Sequence, residues 1–532
     1  VIVFFSEQAF PRSVFFLDWA GNIFLLSGAR LFVRLVRERF RLGADTDGTF
    51  KRLLIVGAGN AGAALCAQAQ GGRIFRSKPV VFVDDDRSKV GTTILGVPVA
   101  GFCKDLPRVV REHRVDSAVI AIPSATTSQM RSLVDGCQRA NIPFKILPPA
   151  SDILDRAVRV SRIRDVDPVD LLGRATARLD REAIQSFIRG KRILITGAAG
   201  SVGSELARQI AVFQPKLLLL IDRAETPLFF LESELRRVFA DIPLVAQVGD
   251  VTDWEEMKRL ITHRKPQVVF HAAAHKHVPF MEITPAQAVR NNIGGTYVMA
   301  KVAQNANVET FVLVSTDKAV KPTSVMGATK RVAELVIREM NQQGPTRLMS
   351  VRFGNVIGSN ASVVPIFKQQ IADGGPITVT HRDARRYFMS ISEAAGLILQ
   401  AGSIGKGAET FVLDMGEPVR IVALAETLIS LTGLKPYEDI DIVFTGQRTG
   451  EKLFEELHLD GEDLHSTGYE KLLVLTANRL PSGVVSAVED FVHSLAGLEA
   501  EEVKSRLRDL VPEYQPSAPV TDWMENLMHG QS

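Results

Sequence analysis

Short apolar runs recur along the chain, each closed by glycine or a polar residue. KRLLIV, VVFV, SAVIAIP and FKILP come first, and KRILIT, LLLLID, PLVAQV, QVVFH and TFVLV follow after residue 190. None alternates strictly between apolar and polar positions, and most are separated by stretches of helical length. That pattern predicts parallel strands buried on both faces, in βαβ units. The fold class read from it is α/β, with two Rossmann-like, doubly wound parallel-sheet domains in series. In the first, residues 51–56 form a strand. Gly57, Gly59 and Gly62 then open a helix with G-x-G-x-x-G spacing, and VVFVDDD carries a second strand to Asp84. These glycines suit a pyrophosphate at a helix N-terminus, and they equally suit tight strand–helix packing with no ligand.

The pattern restarts at residue 191. Gly197, Gly200 and Gly203, with Ser201 and Val202 among them, lead from a strand into a helix. About 20 residues on, LLLLID ends at Asp222, where an acid can hold a ribose 2′-hydroxyl and favour NAD. Arg223 beside it suits a 2′-phosphate, so NADP stays open. The later strands end at Asp250 and Val251, at His271 followed by Ala272, Ala273 and Ala274, and at Ser315. Ligands of doubly wound sheets sit at these carboxyl ends. Glycine or a polar residue at every tip is more than packing demands, so a dinucleotide is expected here.

At 532 residues the chain is too long for one ordinary domain. Its 46% hydrophobic and 23% charged residues are a globular balance, and a net charge of +3 gives no footing for nucleic acid. Three cysteines, Cys66, Cys103 and Cys137, cannot all pair and have no metal-ligand spacing, which fits a reducing compartment and no metal site. Between Arg12 and Arg30 lies a mostly apolar stretch, broken by Asp18 and Asn22 and followed by Arg34, Arg37, Arg39 and Arg41. Such a basic flank marks the cytoplasmic side of a membrane span; an amphipathic helix on the soluble body is the other reading. Starting at Val1, the chain is expected to begin inside a longer protein. The expected layout is a membrane-proximal remnant (1–42), a first Rossmann-like domain (43–150) and a connector with short strands and a helix (151–190). A catalytic domain with a small substrate lobe (191–482) and a helical tail (483–532) complete it. From about residue 420 the lobe reads as helix, strand, GQRTGEK, helix.

The motifs TGAAGSVGSE, GDV, HAAAHKHVPFME, NNIGGT, STDKAVKPTSVMGATKR, RFGNVIGS and GQRTGEK occur in that order. Together they resemble the extended short-chain dehydrogenase/reductases. More narrowly, they resemble the membrane-bound nucleotide-sugar 4,6-dehydratases of capsule, O-antigen and glycoprotein-sugar pathways. The resemblance covers nearly the whole chain. It implies a bacterial inner-membrane protein with a cytoplasmic catalytic part, a retained and recycled NAD (or NADP), and a UDP-sugar substrate such as UDP-N-acetylglucosamine. A homo-oligomer is expected, because the fold commonly pairs through helices beside the active-site lysine.

The resemblance also implies roles. C4 of the sugar is oxidised first, which acidifies the C5 proton. Water then leaves across C5 and C6, and a hydride returns to C6. The broader superfamily places a tyrosine four residues before the active-site lysine. Here that lysine is Lys330 and the earlier position is Met326, whose thioether carries no proton. In the membrane-bound subgroup's pattern Thr316 stands at the C4 hydroxyl, Lys318 takes the C5 proton and Asp317 protonates the leaving C6 hydroxyl. Lys330 holds the nicotinamide ribose. His275, Lys276 and His277 line the sugar cleft. Asn355, Arg386 and Arg448 are candidates for the diphosphate, and Glu451 for a ribose hydroxyl. Ala361 stands where the family pattern carries glycine. A 4-epimerase shares the fold and the oxidation step but needs neither Asp317 nor Lys318. A non-catalytic cofactor sensor would explain the missing tyrosine but not the retained motifs.

Overall fold

The computed structural model describes residues 50–70, 77–147, 163–166, 177–359, 362–459, 462–476 and 482–516, with residues 19, 21, 24, 25 and 28 before them. Successive side chains of a strand point to opposite faces, and this sorts each run into two apolar layers. In β1 (Lys51–Val56), Leu54 and Val56 join one layer while Leu53 and Ile55 join the other. In β5 (Arg192–Thr196), Ile193 and Ile195 face one way and Leu194 the other. Burial on both faces is why these runs are continuously hydrophobic.

The first sheet contains β1, β2 (Ser77–Val83), β3 (Ser117–Ile120) and β4 (Phe144–Ile146), all parallel in the order β2-β1-β3-β4. Helix α1 (Asn60–Gln70) follows its glycine turn. The second sheet has nine strands. After β5 come β6 (Leu217–Asp222), β7 (Leu244–Val248), β8 (Val268–His271), β9 (Thr310–Val314), β10 (Arg347–Arg352), β11 (Thr410–Leu413), β12 (Asp463–Ser466) and β13 (Leu472–Thr476). Their order is β12-β13-β11-β10-β9-β8-β5-β6-β7, parallel except where β13 and β12 close the edge. Strand order reverses between β5 and β8, which is where such sheets open a crevice.

Three expectations change. The substrate lobe starts near Asn355, not at 420. Ile357, Phe367, Ile377, Phe388, Leu424 and Ile442 share its core, while β11 between them belongs to the main sheet. Between GQRTGEK and β12 the described residues form no helix: they run irregularly, and Leu453 gives its carbonyl to Arg385 N at 2.9 Å instead of to a helix. His271 does not face the crevice. It is buried between the hydroxyls of Thr196 (2.7 Å) and Thr296 (3.2 Å), and burial pushes its pKa down to about 3.

In the connector the expected helix is Arg181–Ile188, capped by Asp180 on Ala183 N at 3.0 Å. The tail supplies α4 (Val484–Ser494) and α5 (Ala500–Leu510), whose Val488, Phe491, Val503 and Leu507 enter a core layer shared with α3 (Val325–Met340). Ala361 and most of the apolar stretch between Arg12 and Arg30, with its basic flank, lie outside the described residues. Among the described residues no helix is long and apolar enough to cross a membrane.

Candidate active site

At the end of β5 the chain turns at Gly197, with φ +65°. A Cβ there would lie 2.6 Å from Ala273 N, and one on Gly203 would lie 2.1 Å from Gly197 O. No side chain fits at either place, so the backbone brings the N-terminus of α2 (Ser201–Val212) hard against the strand tip. Asp222 accepts from Ala199 N and Ala224 N, both at 2.9 Å, which pins its carboxylate at the rim. A cavity of about 310 Å³ opens here, lined by Gly197, Gly200, Asp222, Arg223, Asp250, Val251, Ala272, Ala273 and Ala274. It shares Gly197, Gly200, Ala272 and Ala274 with a second cavity of about 650 Å³. The second is lined by Ser201, Val202, Gly203, His275, Lys276, His277, Ser315, Thr316, Lys318, Met326, Lys330, Asn355, Arg386, Arg448 and Glu451, with an apolar wall from the lobe. Of the residues given catalytic, cofactor or substrate roles in the second unit, Asp317 does not line either cavity; nor does the strand-tip residue His271.

The loop after β8 is held by a residue the sequence reading left without a role. Asn292 accepts from His275 N at 2.8 Å and donates to His275 O at 3.1 Å and to Thr329 Oγ1 on α3 at 3.0 Å. That fixes the start of the His275–Lys276–His277 run. Burial holds all three below their ordinary pKa values, His275 further lowered by Arg223 and His277 by Lys276. Arg223 Nη2 reaches the His275 ring at 3.0 Å, so a side chain from one cavity wall touches the other.

Past β9, Asp317 is fully buried behind the cavity surface. Its Oδ1 accepts from Thr316 Oγ1 at 3.0 Å and from Lys318 Nζ at 2.9 Å. Lys318 Nζ also donates to Asn355 Oδ1 at 3.1 Å and stands 3.8 Å from Glu455 Oε1. Burial opposes the charge of Lys318, but Asp317 and Glu455 outweigh it and hold the ammonium above the ordinary lysine range. The hydroxyl of Thr316 therefore has a built proton acceptor, and Asn355 serves Lys318 through its carbonyl oxygen.

On α3, Lys330 donates to Val314 O at 2.8 Å, and burial, only partly offset by Glu334, pushes it down to about 8. Met326 is buried one turn earlier at the cavity wall. Behind them lies a buried ionic network. Arg352 pairs with Glu334 at 2.8 Å, both fully buried, and with Glu462 at 3.0 Å. Ser315 donates to Glu334 at 2.6 Å. Burial disfavours the Glu334 carboxylate, yet Arg352 keeps it below its usual range. Arg331 extends the network to Glu513 at 2.9 Å. Arg352 opens the RFGN motif, but its pairing with Glu334, 18 residues away in sequence, is set by the sheet and is not visible in the spacing.

A glycine turn, a pinned acid and a polar crevice at the strand reversal define a doubly wound, Rossmann-like fold of the nucleotide-binding kind. The chain belongs to the polysaccharide biosynthesis protein family, whose pattern matches residues 193–477, and a CoA-binding domain pattern matches residues 1–148. The capsular polysaccharide biosynthesis protein CapD of Staphylococcus aureus is 42% identical over 476 residues, covering 89% of this chain and 78% of that protein. The probable polysaccharide biosynthesis protein EpsC of Bacillus subtilis (strain 168) is 43% identical over 449 residues, covering 84% and 74%. Among solved structures, Pen from Bacillus thuringiensis is 32% identical and superposes with a TM-score of 0.51, covering 56% of this chain and 89% of that one.

Proposed function

We propose that this protein removes water from a UDP-N-acetylhexosamine, UDP-N-acetylglucosamine first, to give the 4-keto-6-deoxy sugar nucleotide for surface polysaccharide synthesis. The observation that carries this reading is the Thr316–Asp317–Lys318 run, held at a strand tip, with Lys318 opening into a cavity large enough for a nucleotide sugar. An epimerase needs no such pair beside the sugar.

A nicotinamide dinucleotide fits the smaller cavity and its junction with the larger one, since Gly197 and Gly203 leave no room for side chains there and Asp222 presents a fixed acceptor. When bound, it would accept the C4 hydride and give it back at C6. Asp222 and Asp250 would hold the adenosine side, and Lys330 the nicotinamide ribose. Thr316 passes the C4 hydroxyl proton to Asp317 Oδ1. Lys318, hydrogen-bonded to Asp317 Oδ1 at 2.9 Å, takes the C5 proton. Arg386 and Arg448 grip the diphosphate. Met326 takes the volume of a phenol and no part in proton transfer. The arginine-flanked stretch before residue 42 would anchor the protein to a membrane, and a second copy would pair along the helices beside Lys330.

Mass spectrometry of UDP-N-acetylglucosamine after incubation tests this. A product lighter by one water, with no net consumption of cofactor, is expected. Unchanged mass with altered sugar configuration would overturn the dehydratase reading in favour of an epimerase.

A further inference from the structure

Glu455 lies after GQRTGEK, in the stretch where a helix was expected, and its side chain turns inward to Lys318. The residue is 7% exposed. Its Oε1 stands 3.8 Å from Lys318 Nζ and 4.0 Å from Arg386 Nε, and its Oε2 has no hydrogen-bond partner. On the other side of the same Nζ lies Asp317, 2.9 Å away, fully buried and with Oδ2 also unpartnered. One ammonium that faces the cavity is thus flanked by two carboxyl groups that do not. Arg386 is the next cation, but its Nη1 donates to the carbonyls of Arg385 and Leu453 and only its Nε approaches Glu455.

An unpaired carboxylate oxygen away from water is costly, and a proton on one of two neighbouring carboxyls relieves that cost. Asp317 already accepts two hydrogen bonds on Oδ1. Glu455 accepts none within 3.5 Å. Burial pushes its pKa up, Asp317 adds to this, and Lys318, Arg386 and Lys452 oppose it. A tightly held ammonium is no base, so Lys318 needs somewhere to put a proton before it can take another.

Building on the dehydratase reading, we propose that Glu455 is the proton store behind Lys318. It takes the proton that Lys318 must shed before acting at C5, and returns it through Lys318 to the departing C6 oxygen. An N–H bond of Lys318 breaks and an O–H bond of Glu455 forms. The neutral amine then takes the C5 proton, and the C5–H electron pair becomes the C5–C6 double bond as the C6–O bond breaks. Lys318 gives the leaving hydroxide a proton, and Glu455 restores that proton to Lys318. The sugar loses one proton and one hydroxide, and water is the product. Glu455 touches no reacting atom in this scheme; it acts as a positioning and proton-holding residue.

The test is Glu455→Gln and Glu455→Asp in the full chain, with water loss followed by mass spectrometry across pH. Glu455→Gln keeps the volume and removes the proton acceptor. It is expected to retain the KM for UDP-N-acetylglucosamine and lose about 10²–10⁴-fold in kcat, the range of one proton-transfer partner. The acid-side limb of the wild-type kcat profile should disappear with it. Glu455→Asp should recover part of the rate and the limb. A Glu455→Gln enzyme with wild-type kcat, or one that loses rate with the limb unchanged, overturns the proposal. If the wild type removes no water, the dehydratase reading itself falls and this assignment with it. If the wild type works and the variant matches it, only the role of Glu455 falls.

Discussion

The two glycine turns of this chain are nearly the same object. In the first unit a Cβ on Gly62 would lie 1.9 Å from Gly57 O; in the second, one on Gly203 would lie 2.1 Å from Gly197 O. Asp84 accepts from Ala58 N at 2.6 Å, as Asp222 accepts from Ala199 N at 2.9 Å. What surrounds them differs. Lys89 sits 3.6 Å from Asp84, whereas crowding by a neighbouring strand tip is common to both turns: Ala121 O lies 3.0 Å from where a Gly57 Cβ would be, and Ala272 O 2.7 Å from where a Gly197 Cβ would be. Around the second turn six strand tips and the lobe enclose two joined cavities, and neither reaches a residue of the first unit. The glycine spacing is therefore a requirement of close strand–turn–helix packing. Ligand chemistry needs the neighbouring strand tips as well.

The comparison breaks most readily at Lys318. Lys318→Ala removes the ammonium at the cavity surface and should reduce water loss about 10²–10⁴-fold with the fold intact, as read by product mass and circular dichroism. Glu334→Ala should come next. It leaves Arg352 charged and buried without its closest partner, a loss of about 3–5 kcal/mol, seen as a lower calorimetric Tm for the second unit with the first unit's transition unmoved. The two acids sharpen the contrast. Asp222→Ala should weaken NAD about 10–100-fold, the value of a hydrogen bond to a charged group, while Asp84→Ala leaves NAD titrations unchanged. Equal effects would mean that both units hold the dinucleotide.

The smallest effect is one of pH. Lys330 is depressed to about 8, so its ammonium is present below that pH and lost above it. Activity should then fall about tenfold per pH unit above 8 in the free enzyme. Stability should move the other way over the same window, because the unfolded lysine still binds the proton that the folded one has released. Activity and Tm measured on the same buffers check both signs.

Much of this was legible because nucleotide folds write their site at strand ends. Gly197, Asp222, Asp250 and Ser315 each follow an apolar run, and all line the crevice. His271 follows the same rule and points inward, since period-two alternation turns the last residue of β8 toward Thr196 and Thr296. Glu455 was not legible. LFEEL has helical apolar spacing, but Glu455 faces Lys318 and Glu456 pairs with Lys321 at 3.2 Å. Those tertiary ion pairs override a local preference worth only tenths of a kcal/mol per residue. Asn292, Glu334 and Arg352 act through partners brought close by the sheet and α3, which no local spacing reveals.

Arg331, on the active-site helix, has Glu334 as a neighbour on its own helix, whereas Glu462 and Glu513 come from much later in the chain. Proteins emerge from the ribosome N-terminus first. While the polypeptide is still being made, the glycine turn, the strand tips and α3 are all in existence before these two carboxylates are. The charge balance beneath Lys330 is finished last, so a nascent chain halted short of Glu462 would carry every motif of the crevice without the two late carboxylates that set its electrostatics.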